Sequence, residues 1–467
     1  MLFNSIFFVL FLFVVVCLYY LPLLKNLQVF TLIIASFFFY AFHNFPLLAL
    51  LLVSVLINTC TSYLVIYRIN GNQKLYATIG VICNLLILVF FKYSPLISPT
   101  FFADNKDIDQ FLLSIPLPIG ISFYTFQGIS LLVDVYREEL SFERQTKRIS
   151  FLKHLSHTSL YIAFFPQLVA GPIVKAHEFL PQIKQKFFFE IDWEYCFKYL
   201  LVGYFLKNVV ADNLKEFTYW IEYPYFLSYK SMDLFFLLFG YSCQIFADFA
   251  GYSLIALGLA GLFGYKLHIN FNFPYISSSF KDFWKRWHIS LSSFLMEYLY
   301  FPLGGSKKGK IRTYINLFIV MALGGLWHGA SWSYLVWGMV HGTLLSVERF
   351  LFSISNKNLD QFNNFFYSIF VFFIVTMAWL FFRLDFHHAV LYYKHMFSAF
   401  SFSFSTHLVL HILLYSLPVF LYHIYGVWAT KMNYRYFQRY EFVIFGILLF
   451  LIFANSGTSG SFIYFQF

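Results

Sequence analysis

Charge is scarce in this sequence. Asp, Glu, Lys and Arg make up 12% of its 467 residues, against 60% hydrophobic residues and a mean hydropathy of +0.68. So few ionic groups cannot cover the surface of a soluble fold of this length, which leaves an all-α polytopic membrane protein. Cysteine is sparse too: Cys17, Cys60, Cys83, Cys196 and Cys243 lie scattered in apolar segments with no CxxC pair. That argues against a disulfide framework or a thiolate metal site and for small buried hydrophobes. No HExxH word and no paired carboxylate-histidine word occurs, so no metal site and no tightly bound cofactor are expected. Repeats of about 20 to 50 residues are missing, as is any linker long enough to separate a second domain. The expectation is one membrane-embedded domain over residues 1–467.

The net charge of +10 would suggest nucleic acid in a soluble protein. Here the basic residues gather in loops, the positive-inside pattern, so the bilayer is the expected partner and nucleic acid is not. The N-terminal MLFNSIFFVLFLFVVVCLYYLPLLK has no basic leading region and no small-residue cleavage site. It reads as a retained first span. Apolar runs near spanning length fall at about 3–22, 27–43, 46–67, 76–91, 116–136, 195–212, 232–263, 313–328, 331–348, 363–382, 407–427 and 441–455. Gly240, Gly251 and Gly258 allow a bend in the longest of these. FFPQLVAGPIV at 164–174 carries Pro166, Gly171 and Pro172, so a broken or re-entrant segment is expected there. The count is about 11–13 spanning or re-entrant helices. Alternation of the basic loops places both termini outside the cytoplasm.

Two histidine words stand out: KDFWKRWHISLS at 281–292 and GGLWHGASW at 324–332. An ionisable group held at membrane depth is costly and marks a functional candidate. His288 sits among Trp284, Arg286 and Trp287. His328 closes the run INLFIVMALGGLW, where Gly324 and Gly325 permit close backbone approach and a local departure from regular helix. By residue type alone, a membrane histidine is more often an interhelical hydrogen-bond partner. Most of the 14 histidines deserve that reading, because they lack a glycine break or an Arg-Trp escort. His341, following Trp337 and Gly338, is a candidate for supporting the pair.

The order of longer words adds to this. PLPIGISFYTFQGISLLVDVYR, FFPQLVAGPIV, QIFADFAGYS, FNFPY, DFWKRWHISLS, YFPLGGSKKGK, LWHGASW, WLFFR and the terminal FIYFQF at 462–467 resemble the membrane-bound O-acyltransferase family. The resemblance is strongest to the branch that O-acetylates alginate or peptidoglycan, and its core runs from about 115 to 383. It implies helices around a central tunnel through the bacterial cytoplasmic membrane. His328 is similar to the family's catalytic histidine, and His288 to a second polar residue lining the tunnel. Arg286, Trp287, Trp327, Asp248 and Gln167 are candidates for lining the tunnel or binding the donor. The donor implied is cytoplasmic acetyl-CoA, with Arg286 and the lysines at 307–310 suited to attract its phosphates.

The terminal word resembles one found on a small partner protein in the D-alanyl branch. It makes Tyr464 a candidate acyl carrier. The implied partner is an extracytoplasmic SGNH-type, esterase-like acetyltransferase, and the final acceptor a cell-envelope polysaccharide. Two alternatives remain at this point: D-alanyl transfer to teichoic acid, and a transporter without chemistry. The second would call for inverted repeats, which are not visible.

Overall fold

The protein was examined as a computed structural model, which describes all residues except 2, 43, 69–70, 102–105, 139–148, 169–170, 355–364, 399, 432–439, 459–461 and 463–467. Among the described residues all regular structure is helical, as the composition demands. Six helical stretches are long and apolar enough to cross a membrane: Pro22–Ala41, Phe45–Ile66, Gln73–Ser98, Ser231–Leu262, Phe365–Arg383 and Thr406–Trp428. The higher count expected from sequence includes shorter helices, such as Ile6–Tyr20 and Glu441–Ala454, and helices whose ends carry charge. The chain forms two compact units, residues 1–200 with 255–268, and residues 201–254 with 269–467.

The first unit is built on α1 (Ile6–Tyr20), α2 (Gln28–Ala41), α3 (Phe45–Ile66), α4 (Gln73–Phe101), α5 (Ile121–Tyr136) and α6 (Phe151–Ala163). Their outward faces carry exposed Phe13, Ile34, Phe45 and Leu86, which suits lipid and would be a liability in water. Between helices the packing is partly polar, because lipid offers no hydrophobic drive for helices to associate. Asn58 and Asn84 exchange amide hydrogen bonds of 3.2 and 2.9 Å. A side chain at Gly128 of α5 would lie 2.6 Å from the Asn58 amide, so glycine is what lets α5 close over that pair. Ser62 Oγ lies 2.8 Å from His154 Nε2 and ties α3 to α6.

The segment 164–174 is broken, as its prolines and glycine suggest. Among its described residues only Phe165–Leu168 is helical, and the described residues on either side are buried.

The long α7 (Ser231–Leu262) contributes to both units and is buried along nearly its whole length. It is one continuous helix across Gly240, Gly251 and Gly258. These glycines serve close packing: a Cβ at Gly251 would lie 2.9 Å from the Gly203 carbonyl oxygen and from the Lys207 amide nitrogen.

The second unit adds α8 (Phe280–Arg286), α9 (Ile289–Leu295), α10 (Lys310–His328), α11 (Trp332–Ile354), α12 (Phe365–Ala378) and α13 (Thr406–Lys431). The α10–α11 pair is its tightest feature. A Cβ at Gly325 would sit 2.2 Å from the Tyr334 carbonyl oxygen, and one at Gly338 2.3 Å from that of Met321. Backbones this close are possible only between glycines. Gly324 and Gly325 therefore do not unwind α10, as the sequence suggested they would. The helix runs unbroken to His328, and the chain leaves helical geometry only at Gly329.

Candidate active site

Both histidine words lie in the second unit, and the fold brings them together. The rings of His288 and His328 are 6.2 Å apart, and both touch Trp327, at 5.8 and 5.1 Å. Neither imidazole is on the surface: His288 is 0% and His328 4% exposed.

His288 stands in the two-residue break, Trp287 and His288, between α8 and α9. Its backbone is left-handed, φ 44° and ψ 55°, a conformation that costs a non-glycine residue about 1–2 kcal/mol. That turn swings the ring inward, away from the exposed course of α8. Asn270 then fixes its proton. Asn270 Oδ1 accepts from the Ser290 backbone N–H at 3.2 Å and from Ser290 Oγ at 2.9 Å, so this atom is the amide oxygen. His288 Nδ1 lies 3.1 Å from the same oxygen and must therefore carry the hydrogen. The lone pair is left on Nε2, as a base requires. Burial pushes this imidazole down to about 3, so it is neutral at physiological pH. The Phe249 ring meets it edge to face at 4.7 Å.

His328 is placed by the end of α10 and walled by aromatic rings. Trp337 stands edge-on at 5.3 Å and Phe382 at 4.9 Å. An apolar wall excludes water and strengthens electrostatics inside. The short α8 is pinned from below by Glu348 of α11. This carboxylate accepts from the amides of Phe280 and Lys281 at 2.8 and 3.0 Å, and from Tyr367 Oη at 2.9 Å. Anions at a helix start satisfy its free N–H groups and complement its dipole.

The remaining sequence candidates divide. Trp287 is buried among Phe271, Phe283 and Trp379, at 5.0, 5.6 and 4.8 Å, and backs the site. Arg286 points the other way: its Nε bonds Asp282 Oδ1 at 2.9 Å and its side chain is partly exposed. Asp248 lies with Asp212 around the buried ammonium of Lys207, at 2.8 and 2.5 Å. A π-helical turn over Phe205–Ala211 presents that lysine. Gln167 is in the other unit, where its amide donates to the Tyr161 carbonyl at 3.0 Å. Tyr464 lies outside the described residues. Its neighbour Phe462 is fully buried, 4.4 Å from the Tyr252 ring and 5.7 Å from Phe249.

Sequence reasoning missed Asn270, Glu348 and Phe382. Glu348, an acidic residue on an otherwise apolar helix apart from the adjoining Arg349, was the one with a visible signal. Asn270 is an ordinary polar residue in HINFNFPY, and its partner His288 is 18 positions away.

Two buried imidazoles in an aromatic wall, that of His288 with its tautomer fixed by Asn270, are fitted for acid-base chemistry. Residues 6–391 match the model of the membrane-bound O-acyltransferase family, and the chain belongs to that family as an acyltransferase. It is 36% identical over 375 residues to the peptidoglycan O-acetyltransferase of Helicobacter pylori, covering 75% of this chain and 70% of that protein. It is 35% identical to the probable alginate O-acetylase AlgI of Pseudomonas putida, over 85% and 80% of the two chains. The teichoic acid D-alanyltransferase of Bacillus subtilis is 29% identical, over 61% of this chain and 70% of that one.

Proposed function

We propose that this enzyme takes acetyl from cytoplasmic acetyl-CoA and delivers it across the bacterial cytoplasmic membrane for O-acetylation of a cell-envelope polysaccharide, peptidoglycan or an alginate-like polymer. The observation that carries the reading is the buried pair His288 and His328, 6.2 Å apart in one aromatic chamber. The likeness to O-acetylating relatives supports the choice of acetyl over D-alanyl.

In this reading His328 takes the proton of an attacking hydroxyl as its oxygen bonds the thioester carbonyl carbon. The tetrahedral intermediate then expels the sulfur, and His328 returns the proton to it. His288, through Nε2, orients the same reacting groups. The attacking hydroxyl is that of Tyr464. Burial of Phe462 against Phe249, which itself packs on His288, supports a terminus anchored beside this pair. An extracytoplasmic SGNH-type acetyltransferase then moves the acetyl from tyrosine to a sugar hydroxyl, and both termini lie on that side.

The test is envelope-linked acetate, released by mild base from fractionated polysaccharides of cells carrying the intact protein, His328→Ala, Tyr464→Phe or no copy. Loss in one fraction, equal for His328→Ala and the deletion with variant protein still in the membrane, is the expected result. Wild-type acetate with His328→Ala would remove that histidine from the chemistry, and wild-type acetate with Tyr464→Phe would remove the relay.

A further inference from the structure

One turn beyond Trp337 on α11 lies His341, a fully buried histidine. It is enclosed by rings: Trp337 at 4.8 Å, Trp284 of α8 at 5.1 Å, edge to face, and Phe283 stacked at 6.2 Å. Trp284 and Trp337 also touch each other at 5.6 Å. Among the described residues neither nitrogen of His341 has a hydrogen-bond partner, and neither does the indole nitrogen of Trp284 or Trp337. Buried polar atoms are paired in the great majority of cases, so four unpaired nitrogens on three mutually touching side chains call for an explanation. None of them belongs to the His288–His328 pair.

Their chemistry narrows the partner. A neutral imidazole offers one N–H and one lone pair, and each indole offers an N–H only. The two indole N–H groups match the carbonyl oxygen of a secondary amide, which accepts twice, and the imidazole lone pair matches its N–H; the imidazole N–H is left over for a second acceptor. The place fits as well. Trp337 touches both His341 and His328, so the cluster lies two ring contacts from the proposed base. A thioester donor of the coenzyme A kind carries its first amide only a few bonds beyond the sulfur.

We propose that Trp284, Trp337 and His341 form a recognition site for the amide-bearing arm of the acyl thioester, which fixes the carbonyl carbon in reach of His328. This rests on the reading of the enzyme as a thioester-dependent acyltransferase. The indole N–H groups hold the amide carbonyl, and the imidazole lone pair receives the amide N–H. The arm undergoes no bond change there.

The experiment compares two small thioesters with purified full-length protein: S-acetyl-N-acetylcysteamine, which keeps one amide, and S-pentyl thioacetate, which has none. Wild-type protein is expected to favour the first in kcat/KM by about 10-fold or more, the worth of one or two hydrogen bonds. Trp284→Phe and His341→Phe keep a ring in place and remove the polar atoms, and the preference is expected to fall to near unity in both. Thermal melting of each variant separates misfolding from lost recognition. A preference that survives in either variant overturns the proposal, as does a wild-type protein indifferent to the amide. A lowered melting point with an unchanged preference means a buried water only, and also overturns it. In all three cases turnover that still depends on His328 leaves the enzymatic reading standing. No His328-dependent turnover of any thioester would sink that reading and this site together.

Discussion

Replacing Asn270 with leucine tests whether the tautomer of His288 matters. Leucine has similar volume, so the 2%-exposed site keeps its packing. What goes is one oxygen that accepts from His288 Nδ1, the Ser290 amide and Ser290 Oγ. The serine hydroxyl can rotate to another partner, but the two N–H groups cannot. At about 1–3 kcal/mol for each buried donor left unpaired, the ceiling is about 2–6 kcal/mol of stability. His288 has an escape: it can move its proton to Nε2, which relieves one donor and lowers the cost towards about 2 kcal/mol. The same move removes the lone pair from the reacting side, at a cost in turnover of about 10²-fold or more, the usual worth of a positioned acid or base. The Leu variant should therefore melt only modestly lower while thioester turnover by purified protein collapses. Asn270→Asp should restore the acceptor and, by its charge, favour the imidazolium, so its turnover should recover only at raised pH. A folded Leu variant with undiminished turnover would refute the tautomer argument.

Three further outcomes follow from the geometry. Gly325→Ala places a methyl 2.2 Å from the Tyr334 carbonyl, so α10 and α11 must part. A loss of about 1–3 kcal/mol or more is expected, read as a lower melting temperature and reduced membrane yield. Lys207→Met leaves Asp212 and Asp248 buried without their cation. It should cost about 3–5 kcal/mol, and Asp248→Asn on that background should recover part of it by removing a buried charge. The third outcome concerns pH. The folded protein holds His288 neutral down to about 3, whereas the unfolded chain protonates it near 6.5. Its contribution to stability is thus complete above about pH 6.5 and is lost as pH falls from there towards 3. Melting temperatures between pH 4 and 7 should show a shallower acid slope for His288→Gln than for the wild type.

Composition alone determined the class of this protein, because 12% charge cannot clothe a soluble fold of this length. The local words determined more. Pro166 falls in the first turn of the short helix Phe165–Leu168, where proline is tolerated, and Gly171 and Pro172 lie outside helix. His328 stands at the end of α10, in a word whose glycines permit close approach, and the two histidines singled out by their cost in a membrane are the ones the fold unites. What the sequence could not decide depends on partners far apart in the chain. Gly324 and Gly325 read equally well as a break or as a packing surface. Only the arrival of α11, with Gly338 backbone atoms 3.0 Å and the Tyr334 carbonyl 2.2 Å from where a Gly325 Cβ would be, made Gly325 the latter. Gly240, Gly251 and Gly258 likewise lie within an unbroken helix, each with a neighbour so close that a Cβ would meet it within 2.9 Å. Asn270, 18 residues before His288, carries no spacing signal, and neither does the left-handed turn that aims the ring. Hydrogen-bond direction and tautomer are properties of three-dimensional neighbours, so the chemistry latent in the histidine words was selected by the tertiary structure.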